Sequence, residues 1–300
     1  MSIDVVIRQK GFHKKTLPLS VILGDSLSCG VYEAGGRLDV GNWEGGEIAV
    51  FDPSHIGRGF TVTWTPTQTK GIALRALQPT CPEELMAFYG VIDRITAYWR
   101  CSMTVDGAPM TTEQFRDGML DMLEVNRRFL DLFVEKSLEA EEYEGMTLFS
   151  AMWPLEYGAK EAAATRDAPE GAMAHFSAWL HEKQIVDSYY AVAGYTEREG
   201  GLYGRFALTE GCDSLIPLRP CVPFGVVDRA TGKAPEVEGY EVALVSTTER
   251  GVMGTIPYES FLEALKALYP HKVTYFDAKR VRVAPLDYRE LEAILERASR

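Results

Sequence analysis

The chain has 300 residues, 46% of them hydrophobic and 11% aromatic, and a formal net charge of -12 from 31 Lys and Arg against 43 Asp and Glu. That supply of core-forming side chains excludes fibrous, collagenous and disordered classes, and the negative excess excludes nonspecific binding to a nucleic-acid backbone. No apolar run approaches the ~20 residues that a bilayer crossing needs, and the N-terminus lacks a long apolar segment ahead of a small-residue cleavage site, so a cytoplasmic protein with no membrane partner is expected.

Taken in chain order, Ile3 to Ile7 predicts a short strand, and the basic stretch Lys10 to Lys15 a loop. Gly35-Gly36 and Gly45-Gly46 are turn signals. Phe60, Val62 and Trp64 then alternate with Thr61, Thr63 and Thr65, and Ile72, Leu74 and Ala76 follow after a turn. Period-two alternation of this kind predicts a hairpin with one dry face. Thr80-Cys81-Pro82-Glu83 has the form of a capping box, and Leu85, Phe88, Tyr89, Ile92, Ile95 and Trp99 continue at helical spacing, which predicts a helix lying on that sheet. Cys101 to Val105 predicts a strand closed by the turn Asp106-Gly107.

From Thr112 to about Glu142 runs the longest helical pattern, with Phe115, Met119, Met122, Phe129 and Phe133 on its apolar side. Residues 111–144 hold ten acids and four bases, an excess of six, which is half of the whole chain's -12. Such a run is first a solvated helix face. It is also the surface where a basic protein partner would be sought, so the acidic helix 112–142 is the candidate partner contact.

Met146 to Met152 predicts a strand and Pro169 to Lys183 a helix. Two hairpins follow, Tyr189 to Tyr195 with Leu202 to Leu208 across Glu199-Gly200-Gly201, and Tyr240 to Ser246 with Val252 to Ile256 across Glu249-Arg250-Gly251. A proline-rich connection, Pro217 to Pro235, separates them. Pro257 opens a helix, Val281 and Val283 mark a strand, and Asp287 with Glu290 caps the last helix, whose stripe is Leu291, Ile294, Leu295 and Ala298. The reading is an α+β protein of antiparallel sheets covered on one face by amphipathic helices, divided into 1–145 and 146–300. Hairpin followed by helix occurs twice, which fits either two similar halves or the recurrence of a common unit.

Cofactor and metal chemistries find no pattern. Cys29, Cys81, Cys101, Cys212 and Cys221 are odd in number and widely spaced, so reduced thiols are expected rather than a disulfide framework or a zinc ribbon. His175 and His181 are six apart on a helix, about 120° from one another, which does not suit a shared metal. His13 and His271 stand alone beside lysines, and neither a phosphate loop nor a dinucleotide fingerprint is present.

Leu19 to Leu23 followed by Gly24-Asp25-Ser26-Leu27-Ser28 resembles the nucleophile block of the Gly-Asp-Ser-Leu esterases and lipases. The resemblance implies a parallel sheet, Ser26 as nucleophile after its first strand, and an Asp-x-x-His pair near the C-terminus. Asp52-Pro53-Ser54-His55 has the letters, but His55 follows Ser26 by only 29 residues, and Gly41-Asn42-Trp43 does not make the family's oxyanion block. Of the two functions considered, a Ser26 esterase is therefore the alternative and a noncatalytic binding or protein-interaction protein the expectation. Gly57-Arg58-Gly59, just ahead of a strong strand, lets the backbone approach an anion or a partner carboxylate, with His55 and Arg58 as donors. The N-terminal strand, Gly57 to Phe60, and the hairpin leading to Thr80-Cys81-Pro82-Glu83 together resemble an uncharacterised family of cytoplasmic bacterial proteins known as a domain of unknown function, which implies a bacterial origin and an unassigned role and offers no catalytic residues to carry over.

Overall fold

A computed structural model describes residues 1–9, 11, 14–33, 36–40, 45–141, 144–198, 200–223, 226–227 and 232–299. His13, Gly35, Gly41-Asn42-Trp43, Glu142 and Glu199, all used in the sequence reading, lie outside them. The chain forms two compact units, one of Met1–Glu141 with Met146–Ile185 and one of Glu142–Gly145 with Val186–Arg300.

In the first unit the alternating segments become strands β1 (Ser2–Arg8), β2 (Ser28–Tyr32), β3 (Leu38–Asp39), β4 (Gly46–Phe51), β5 (Phe60–Trp64), β6 (Gly71–Leu77), β7 (Met103–Val105) and β8 (Ala108–Met110). They lie side by side in the order β3-β2-β4-β5-β6-β1-β7-β8, every neighbour antiparallel. The expected hairpin is β5–β6, with Phe60 opposite Ala76 and Val62 opposite Leu74. Phe60, Val62 and Trp64 are buried while Thr63 is exposed, as the period of two requires.

Helix α1 (Leu19–Leu23) precedes β2, and helix α2 (Pro82–Trp99) covers the sheet with Leu85, Phe88, Ile92, Ile95 and Trp99 in one core with β1, β5 and β6. The capping box expected at Thr80 does not form. Cys81 is the N-cap, Pro82 opens the helix, and the Thr80 hydroxyl is turned to the Glu84 carboxylate instead.

The acidic stretch divides into α3 (Thr112–Asp117) and α4 (Met119–Leu138) on either side of Gly118. A short hairpin of β9 (Met146–Leu148) and β10 (Leu155–Tyr157) and helices α5 (Ala159–Arg166) and α6 (Ala172–Gln184) complete the unit. Composition places a division at 145/146, whereas the compact units divide after Ile185. The physical reason is an aromatic cluster: Phe133 of α4 lies 4.9 Å from Tyr157 and 6.5 Å from Phe176 between ring centroids, so residues 146–185 share the interior of the first unit.

The second unit contains β11 (Tyr189–Tyr190), β12 (Gly194–Arg198), β13 (Gly201–Thr209), β14 (Ser214–Pro217), β15 (Gly239–Ser246), β16 (Gly251–Pro257), α7 (Tyr258–Leu268), β17 (Val273–Asp277), β18 (Arg280–Val283) and α8 (Tyr288–Ala298). Its sheets run β11-β14-β18-β17 and β12-β13-β15-β16, with β11/β14 and β13/β15 parallel and the other pairs antiparallel. The segment expected as one strand, Tyr189 to Tyr195, is split between the two sheets. Phe261, Leu265, Leu291 and Ile294 from α7 and α8 pack against Phe206, Val242 and Leu244. Hairpin then helix therefore recurs as β5–β6–α2 and β15–β16–α7, in sheets of different topology. The architecture is α+β. Among the described residues no helix is long and apolar enough to cross a membrane.

Candidate functional site

The loop 52–59 joins β4 to β5. Asp52 Oδ1 accepts from the Ser54 backbone N–H at 2.8 Å and from its hydroxyl at 2.6 Å, which fixes the turn and holds the Asp52 carboxyl below its usual range. His55 stands exposed at the tip, its Nδ1 3.3 Å from the Ser54 hydroxyl. The next peptide N–H, that of Ile56, donates to Nδ1 of His181 at 3.0 Å, and the two imidazoles stack at 5.9 Å between centroids. An Nδ1 that accepts from a backbone N–H carries no proton, so in this geometry His181 is the tautomer with its proton on Nε2.

Arg58 turns the other way, into the core. It is 7% exposed, with Nε donating to Phe149 O at 3.0 Å and a terminal nitrogen donating to Pro79 O at 3.2 Å. Its own N–H donates to Glu84 Oε2 at 3.0 Å. Glu84 is buried, and that burial raises its carboxyl above the ordinary value against the opposing pull of Thr80 and Arg58. Burial likewise lowers Arg58 to about 10. Gly57 passes so close that a Cβ there would lie 2.8 Å from both Cys81 Sγ and Glu84 Oε2, and Gly59 has φ +69°. Gly57 thus serves the packing of the loop on α2, while Gly59 takes the left-handed turn beside Ala151 and the Val50 carbonyl.

His55 and His181 border a cleft of about 790 Å³ reached by the first turns of α2 and α6 and by the middle of α4. Ala174, Ser177, Ala178 and His181 face it from α6 at helical steps of three and four, over a partly apolar lining that includes Pro82 and Met173. Glu83, Asp131 and Glu170 bring negative charge, while the one arginine on its wall, Arg127, pairs with Asp131 at 3.0 Å and Glu124 at 2.9 Å. Cys81 also borders the cleft. Burial and the neighbouring Glu84 push its thiol up, opposite to what a nucleophilic cysteine requires. His175 is directed elsewhere, to the Thr165 hydroxyl at 3.0 Å, in keeping with the angle expected from its spacing. Among the described residues no group of three or more His, Cys, Asp or Glu is placed to hold a metal ion, and all five cysteines are free.

Ser26 is in a different setting. Leu19–Leu23 is a helix, where the esterase resemblance implied a strand: Pro18 stands at its N-cap position without a side-chain bond, and Arg94 of α2 caps the other end by donating to Val21 O at 3.0 Å and Ile22 O at 2.6 Å. Ser26 lies exposed in the turn after it, outside the cleft that His55 borders. Of the candidates the structure therefore brings His55 to a cleft wall, buries Arg58 behind the same loop and leaves Ser26 apart. The partner of His181 is the Ile56 backbone, 125 residues away, which no local spacing records. The same is true of Asn126. It is fully buried on the inner side of α4, where its side chain accepts from Thr80 N–H at 2.9 Å and donates to Thr80 O at 2.8 Å.

The first unit is thus an α+β body with a cleft whose lining is more apolar than polar. The chain belongs to the family described as domain of unknown function DUF4299, whose family model matches residues 2–294. No curated protein and no solved structure matches it.

Proposed function

We propose that the chain is a noncatalytic binding protein and that the cleft bordered by His55 and His181 receives its ligand. The observation that carries this reading is the cleft's make-up: its volume of about 790 Å³ is that of a small-molecule site, and beside its imidazoles, carboxylates and paired arginine the Cys81 thiol is pushed up by burial and the Nδ1 of His181 is taken by the Ile56 N–H, so neither is arranged as a nucleophile with its base. The charge on its wall favours a ligand that presents an amine or other cation to Glu83 and Glu170 and an apolar part to Met173 and the alanines of α6. The anion contact expected of His55 and Arg58 has less support, since two of the Arg58 donor nitrogens are spent on carbonyls. Ala178 is exposed on the cleft wall, so Ala178→Trp fills the cleft without disturbing the core. Saturation-transfer NMR with a panel of alkyl and aryl amines is expected to show contacts with wild type that this variant loses. Signals equal in both proteins, or none in either, reject the cleft.

The alternative, an esterase using Ser26, has no geometric observation in its favour. Equal hydrolysis of short-chain aryl esters by wild type and Ser26→Ala is expected, and serine-dependent turnover would overturn the noncatalytic reading.

A further inference from the structure

Helices α3 and α4 carry a second stripe, which joins the core at Phe115 and Met122 and leaves it towards Val125 and Leu132. Phe115, Gly118, Met122, Val125, Phe129 and Leu132 follow one another at alternating steps of three and four, the spacing that seats one helix on another. The inner side of α4 is made instead by Met119, Asn126, Leu130, Val134 and Ser137, about 100° further round the helix. Val125 remains 42% and Leu132 56% exposed. Opposite the N-terminal part of the stripe stand Ile3, Val105 and Met110, which leaves an apolar groove of about 350 Å³ beside the edge strand β8.

Two observations point to what the groove takes. Gln78, 6% exposed, lines it with a side-chain amide nitrogen that has no hydrogen-bond partner, a donor awaiting an acceptor from outside the chain. Asp106 and Asp121 also line the groove, and at 100° per residue the solvent side of the stripe continues with Asp117, Glu124 and Glu135 against Arg128, itself paired with Glu124 at 3.1 Å, and Lys136, which ends the stripe one step beyond Leu132. The apolar floor is therefore flanked by negative charge.

We infer that this groove, together with the exposed stripe that runs on from it to Leu132, is a docking site for a basic amphipathic helix of another protein, with the partner's apolar face seated on Met122, Val125, Phe129 and Leu132 and its lysines and arginines against Asp106 and Asp121 in the groove and Glu135 beyond it. The site is separate from the His55–His181 cleft, and either can fail without the other.

The probe is a fluorescein-labelled Leu/Lys peptide of about 20 residues patterned as an amphipathic helix, compared by anisotropy with a scrambled peptide of the same composition and with a patterned Leu/Glu peptide. The full chain is expected to bind the patterned Leu/Lys peptide saturably and the other two about tenfold more weakly or worse. Val125→Asp and Leu132→Asp alter exposed positions and add negative charge, so attraction by charge alone would strengthen in them. Loss of about tenfold in affinity in each, with an unchanged circular dichroism spectrum and melting temperature, is the expected result. Ala178→Trp is expected to leave this affinity as it is. Equal binding of the scrambled peptide, retained affinity in both stripe variants, or no binding of the patterned peptide overturns the inference. So does self-association in sedimentation that Leu132→Asp abolishes, since the occupant would then be a second copy of the chain.

Discussion

Three successive residues, Gly57, Arg58 and Gly59, have different reasons to be what they are. At Gly57 a Cβ would overlap Cys81 Sγ and Glu84 Oε2, and at Gly59 the backbone sits in the left-handed region. Gly57→Ala is expected to cost roughly 1–3 kcal/mol by overpacking a core that has no room to yield. Gly59→Ala is expected to cost about 1–2 kcal/mol through its backbone conformation, and urea midpoints of the two variants measure both. Glu84 adds a pH signature. Its carboxyl titrates above the 4.5 of an ordinary glutamate because burial disfavours the charge. The stability it supplies is thus present below about pH 4.5 and is lost as pH rises through the native value. Glu84→Gln keeps an acceptor for Thr80 and Arg58 without the charge. It is therefore expected to gain stability relative to wild type as pH is raised from about 4.5 towards 8, and parallel slopes for the two proteins would show that Glu84 is not the titrating group.

At the scale of the element, local chemistry was readable wherever a side chain answers its own neighbourhood. The box of Asp287 and Glu290 at the start of α8 forms as its spacing requires, with Asp287 accepting from Glu290 N–H at 2.9 Å and Glu290 accepting from Asp287 N–H at 2.8 Å. The Thr80 box, with equally suitable letters, does not form, because Asn126 of α4 pairs with the Thr80 backbone and Glu84 takes its hydroxyl. A similar long-range staple holds the β15–β16 hairpin. Glu210, just beyond β13, accepts from the Ser246 hydroxyl at 2.8 Å, from Thr247 and Thr248 N–H at 2.9 Å each, and from the Thr248 hydroxyl at 2.7 Å. These bonds, led by those from Thr248, hold its carboxyl down to about 2 from 4.5. The contribution is present above pH 4.5 and disappears as pH falls towards 2. The stability difference between wild type and Glu210→Gln is accordingly expected to shrink over that window in acid unfolding curves, and a difference that stays constant would exclude Glu210 as its source.

For the whole molecule, the division of the chain is the quantity to test. Phe133, Tyr157 and Phe176 meet inside the first unit, and Tyr157 is fully buried. A fragment of residues 1–185 is expected to melt cooperatively, whereas a fragment ending at 145 leaves the aromatic side of α4 without its cover and is expected to aggregate or unfold. A cooperative transition in 1–145 would instead assign a folding domain to the boundary that composition suggests.

Periodicity by itself determined the α+β class, the β5–β6 hairpin under α2, the acidic helical region and the capped α8, since which face of an element is apolar is written in consecutive residues. What that face meets is not. The pairing of His181 with the Ile56 peptide, the burial of Arg58 among carbonyls from residues 79 and 149, and the helix in place of a strand before Ser26 were decided only by tertiary structure. In each case the deciding partner lies tens to more than a hundred residues away, and a hydrogen bond or a buried contact depends on where the folded chain places that partner rather than on the letters beside it.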